Sequence, residues 1–157
     1  MNIITSFALG LALAVGLGGA AARAQVGMQQ TMAPTTSGYA YANIKKADRS
    51  VGVLHIEVEF ITDMQGYSGE LIYGPIPATD LDSTIYLQAG DAHLPLIRVD
   101  GVANIHDTMQ LAFNYNPNRN PRVGRWQGDF IAPEGAAPVY LILPNVAPIG
   151  PITIRDR

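Results

Sequence analysis

The stretch Val51 to Thr62, VGVLHIEVEFIT, constrains the fold more than any other segment of the chain. Leu54, Ile56, Val58 and Phe60 recur at every second position, and Val53, His55, Glu57, Glu59 and Ile61 fill the places between. A strand turns successive side chains to opposite faces, so this period of two predicts a strand in a sheet with one buried and one polar side.

From Gly38 onward, segments rich in Val, Ile, Tyr and Phe alternate with turn clusters, and no helical period free of Gly and Pro interrupts them. After the turn at Asp63–Gly66, Gly69 to Tyr73 is expected to return as the hairpin partner of the long strand. Thr84 to Gln88, Leu94 to Val99, Thr108 to Tyr115, Val123 to Ile131 and Pro138 to Leu143 supply further strands, and Ile152 to Arg155 closes the chain. Asp100-Gly101 is a strong turn signal. Within Val123 to Ile131, Trp126 and Phe130 share the inward face, while Arg125, Gln127 and Asp129 point out. The 157 residues include 16 Gly and 11 Pro, enough punctuation for many short strands. The expected fold is all-β: an antiparallel β-sandwich of immunoglobulin-like or jelly-roll type over residues 38–157, with about eight or nine short strands.

The N-terminus has a different texture. Ile3 to Leu17 reads IITSFALGLALAVGL and is followed by glycines and small alanines up to Ala22-Arg23-Ala24. An apolar region leading to an A-x-A site predicts a secretory signal peptide over residues 1–24, preceding the β domain as a hydrophobic helical segment. The alternative is an uncleaved membrane anchor, since about 20 apolar residues span a bilayer. Four glycines in that stretch, and Arg23, Lys45 and Lys46 beyond it, argue for cleavage. Either way the expected destination is the periplasm or the extracellular space, with membrane attachment only if the segment is kept. Residues 25–37, QVGMQQTMAPTTS, read as a flexible polar leader.

Composition removes several classes of function. A 48% apolar content excludes intrinsic disorder, and a net charge of -3 with a pI near 5.5 gives no basic face for nucleic acid. No Cys is present, which removes thiol catalysis, zinc–thiolate sites and iron–sulfur clusters. Gly66-Tyr67-Ser68-Gly69 approaches a nucleophile elbow, but Glu70 replaces the closing Gly and a helix does not follow. Asp80-Leu81-Asp82 lacks the further oxygen ligands of a calcium loop. Tyr39 and Tyr41 share a face and form the best aromatic platform for a sugar, whereas Trp126 reads as core.

Three constellations remain. Arg119, Arg122 and Arg125 flank Asn116, Pro117, Asn118, Asn120 and Pro121 in and after the irregular stretch NYNPNRNP, and an Arg-bearing loop on a rigid sheet suits contact with an acidic partner. His55, Glu57 and Glu59 share one strand face, the ordinary pattern of a solvated sheet surface. His93, His106 and Met109, with His55 and Met64 as further ligands, carry the imidazole and thioether groups that Cu(I) selects. The reading that fits the sequence as a whole is an exported non-catalytic β-sandwich module, without cofactor, that binds a protein or envelope component through loops and sheet edges. The alternatives are a periplasmic copper-binding protein and a single-span accessory subunit of a membrane complex.

Overall fold

The computed structural model describes residues 32–113 and 116–157. The chain is mostly β and forms several antiparallel sheets. Its elements are β1 (Met32–Pro34), β2 (Tyr41–Ser50), β3 (Val53–Ile61), β4 (Leu71–Tyr73), a single helical turn α1 (Leu81–Thr84), β5 (Tyr86–Ala89), β6 (Ala92–Pro95), β7 (Arg98–Val99), β8 (Val102–Ala103), β9 (Met109–Gln110), β10 (Arg122–Ile131), β11 (Val139–Ile142) and β12 (Arg155–Asp156).

The main sheet runs β1-β2-β3-β10, and β12 joins the far end of β2 in parallel. The alternation in β3 sets its orientation: Leu54, Ile56, Val58 and Phe60 are all buried, and the residues between them are half-exposed. β10 answers with Trp126 and Phe130 on the same inner side, paired across from Val58 and Leu54. β2 contributes Ala42 and Ala47 opposite Phe60 and Ile56, so small side chains face large ones and the layer fills without overpacking. Leu87 of β5, Leu141 of β11 and Leu96 belong to the same buried cluster, and Leu96 bridges to Phe130 at the edge of β10. The smaller sheets are β11-β5-β6, β4-β9 and β7-β8.

Several local expectations change. Val51 does not begin a strand: Val51 and Gly52 form the two-residue tip of the β2–β3 hairpin, with φ of 47° and 75°. Gly69 to Tyr73 is not the hairpin partner of β3, because β2 and β10 occupy both edges of β3 and β4 pairs with β9 instead. Of the strand expected over Thr108 to Tyr115, only Met109–Gln110 is strand among residues 108–113, although Leu111 stays buried as expected, and residues 114 and 115 lie outside the described residues. Met32 to Pro34, assigned by the sequence to the polar leader, forms β1, and Thr35 is buried beside it. Residues 1–24 and 25–31 lie outside the described residues. Among the described residues, no helix is long and apolar enough to cross a membrane.

Candidate functional site

The polar face of the main sheet gathers most of the charged residues that the sequence singled out. Cross-strand register places Asp48, His55 and Asp129 in one row, and Lys46, Glu57 and Gln127 in the next. Two β-bulges then disturb the alternation. In β2, Val58 pairs with Ile44 and Glu57 with Lys46, so Lys45 is the extra residue. In β10, Ile61 pairs with Arg122 and Phe60 with Gly124, so Val123 is extra. A bulge re-aims neighbouring side chains. Here Lys45 reaches Glu59 and Lys46 reaches Glu57, Arg122 also reaches Glu59, and Arg125 stands across the strands from Glu59 without pairing with it.

The resulting ion pairs are specific. Glu59 takes Arg122 Nε at 2.9 Å on one oxygen and Lys45 Nζ at 3.4 Å on the other, with its side chain 13% exposed. Glu57 accepts from Lys46 Nζ at 3.3 Å and lies 3.3 Å from His55 Nε2. The Lys46 hydrogen bond, seconded by His55, holds the Glu57 carboxyl below its ordinary value against the opposing effect of partial burial. His55 Nδ1 sits 2.6 Å from Asp129 Oδ1, so carboxylates hold both ring nitrogens. Asp48 is the most enclosed acid of the face. Its Oδ2 lies 2.7 Å from Arg157 Nη2 and 3.7 Å from Lys46 Nζ, yet neither oxygen receives a directed hydrogen bond.

The four residues proposed for partner contact do not act alike. Arg119 and Asn118 occupy an exposed turn organised by Asn116, whose side-chain oxygen accepts the Asn118 N–H and whose carbonyl accepts those of Arg119 and Asn120. Arg122 and Arg125 lie in β10 rather than in the loop. Arg122 is engaged by Glu59, whereas Arg119 and Arg125 have no carboxylate within 4.0 Å among the described residues.

The residues considered for copper sit on separate elements. His55 is on the polar face of β3, and His93 is on β6, stacked on Tyr86 with ring centroids 4.3 Å apart. His106 is exposed after β8, and Met109 is buried in β9 beneath Gly124. Among the described residues, no group of three or more His, Asp or Glu side chains is placed to hold one metal ion.

No protein-family model matches the chain, and neither a curated protein nor a solved structure does.

Sequence reasoning passed over Lys45, Lys46, Asp48 and Arg157 as members of this face. The signal available was the charge complement Lys45-Lys46 against Glu57 and Glu59, which becomes a cross-strand pairing once the β2–β3 hairpin is recognised.

Proposed function

We propose that the chain is an exported, non-catalytic β-sandwich module that recognises an acidic protein or envelope component through the 116–120 turn and the polar face of β10. The observation that carries the reading is the contrast among three arginines: Arg122 is spent on Glu59, while Arg119 and Arg125 are exposed and carry no carboxylate among the described residues. A guanidinium on a rigid sheet, as at Arg125, and one on a hydrogen-bonded turn, as at Arg119, are suited to bidentate contact with carboxylates when no internal partner holds them. A non-catalytic role is supported by His55, whose ring nitrogens face Asp129 and Glu57 rather than a nucleophile. The sandwich reading is supported by one continuous core that takes Leu54, Phe60, Trp126 and Phe130 from the main sheet and Leu87 and Leu141 from the three-stranded sheet. Export rests on the apolar segment and A-x-A site of residues 1–24.

A photo-crosslinking amino acid at position 119, introduced into the full chain in its native envelope, tests the reading. One discrete adduct, lost when Arg125 is changed to Glu, is the expected result. Identical adduct patterns with and without Arg125→Glu overturn it.

A further inference from the structure

The polar face carries more than a charged surface. Beside Arg125 lies a pocket of about 320 Å³, lined by Lys45, Glu57, His106, Arg125 and Gln127. That volume falls at the small end of ligand sites, roughly 300–1,000 Å³. We propose that this pocket binds a small oxyanionic group, a carboxylate or phosphate, with Arg125 as its principal contact and His106, Gln127 and Lys45 as flanking donors. The inference deepens the recognition reading of the same face by naming the chemistry that the face would take.

The two bulges set Lys45 and Arg122 against the carboxylate of Glu59, and Arg125 on β10 is the register partner of the same residue. Each Glu59 oxygen already has a cation, so Arg125, its direct cross-strand neighbour, is left over. The pocket does contain a second acid, Glu57, but its Oε1 already accepts from Lys46 Nζ at 3.3 Å and lies 3.3 Å from His55 Nε2. What faces the open volume is therefore a surplus guanidinium with a carboxamide and an imidazole beside it. These groups match an oxyanion: the guanidinium fork supplies two parallel donors, and the carboxamide and the imidazole add directed N–H groups.

The test is an NMR titration of the full exported chain, labelled with nitrogen-15, using three separate probes: citrate, inorganic phosphate and the blocked peptide Glu-Asp-Glu. The expected result is saturable movement of the Arg125 Nε–H and Gln127 side-chain signals with at least one probe. Binding should weaken by about tenfold or more in Arg125→Gln, partly in Arg125→Lys, and not at all in Arg119→Gln. Saturation by citrate or phosphate identifies a soluble anion as the source, and saturation by the peptide alone identifies a partner's acidic side chain. Absence of saturation at millimolar concentrations of every probe, or equal binding by folded Arg125→Gln, overturns the site. Anion binding that persists while the adduct at position 119 is absent would remove the protein-partner reading and leave the pocket standing.

Discussion

The indole Nε1–H of Trp126 donates to the hydroxyl of Tyr73 at 2.8 Å, a buried hydrogen bond that ties β10 to β4 across 53 residues of sequence. Trp126 is 2% exposed and Tyr73 5% exposed, so water cannot replace either partner. Tyr73→Phe should strand the indole N–H and cost about 1–3 kcal/mol of stability, read as a lower denaturation midpoint. Burial also pushes the Tyr73 phenol above its ordinary value of 10.0, against the pull of the Trp126 hydrogen bond. Burial and the Glu70 hydrogen bond push the Tyr67 phenol up as well, so a spectrophotometric titration should find Tyr67 and Tyr73 still protonated where exposed phenols have ionised.

Glu70 anchors the segment before β2 to the β4 region. Its Oε1 accepts hydrogen bonds from Thr35 and Ser37, both at 2.6 Å, and from Tyr67 at 2.9 Å. Burial alone would raise its pKa, but the three hydroxyls together outweigh that and hold the carboxyl below the ordinary 4.5. A depressed folded-state pKa gives stability that is full above the unfolded value and lost as pH falls through the folded one. Glu70→Gln should therefore destabilise the protein at neutral pH by about 2 kcal/mol, with the gap to wild type narrowing below pH 4.5. Urea midpoints measured from pH 7 to pH 3 check this, and a gap independent of pH contradicts it.

Val51 is a β-branched residue at φ 47°, 99% exposed at the hairpin tip. The left-handed region costs an L-residue of this shape roughly 1–2 kcal/mol, and Asn tolerates it better. Val51→Asn should raise the melting temperature by about 2–4 °C for a chain of this size. A lower melting temperature would mean that the exposed valine makes a stabilising contact.

Gly69 sits at φ 124°, and a Cβ there would run into the carbonyl oxygen of Leu111. The same passage hydrogen-bonds Ser68 and Glu70 to Phe113 and Leu111, extending the β4–β9 pairing. Gly69→Ala should cost about 3 kcal/mol or more, measured by chemical denaturation. A loss below about 1 kcal/mol would show that the two segments separate easily.

How far the fold was legible depended on how local its cause was. The alternation of β3 and the inward pair Trp126 and Phe130 needed only the two-residue period of a strand, and both appear as read. The β2–β3 hairpin was hidden because Val51 is a poor residue for its turn, so the chain carries no Asn-Gly or Asp-Gly signal there. Pairing of β4 with β9 joins residues nearly forty positions apart, a choice set by packing rather than by adjacency. At the candidate site, the arginines were visible as residue types, but their division into engaged Arg122 and unengaged Arg125 was not. That division depends on bulges at Lys45 and Val123, and neither position has a residue that demands one.

The most direct test of an exported recognition module is the intact mass of the protein taken from its native envelope, recorded under denaturing and then native conditions. The account predicts a denatured chain lacking residues 1–24, and a native mass increased by a bound partner that Arg119→Glu combined with Arg125→Glu releases. A full-length chain recovered from the membrane, or a native mass equal to the chain alone, would contradict it.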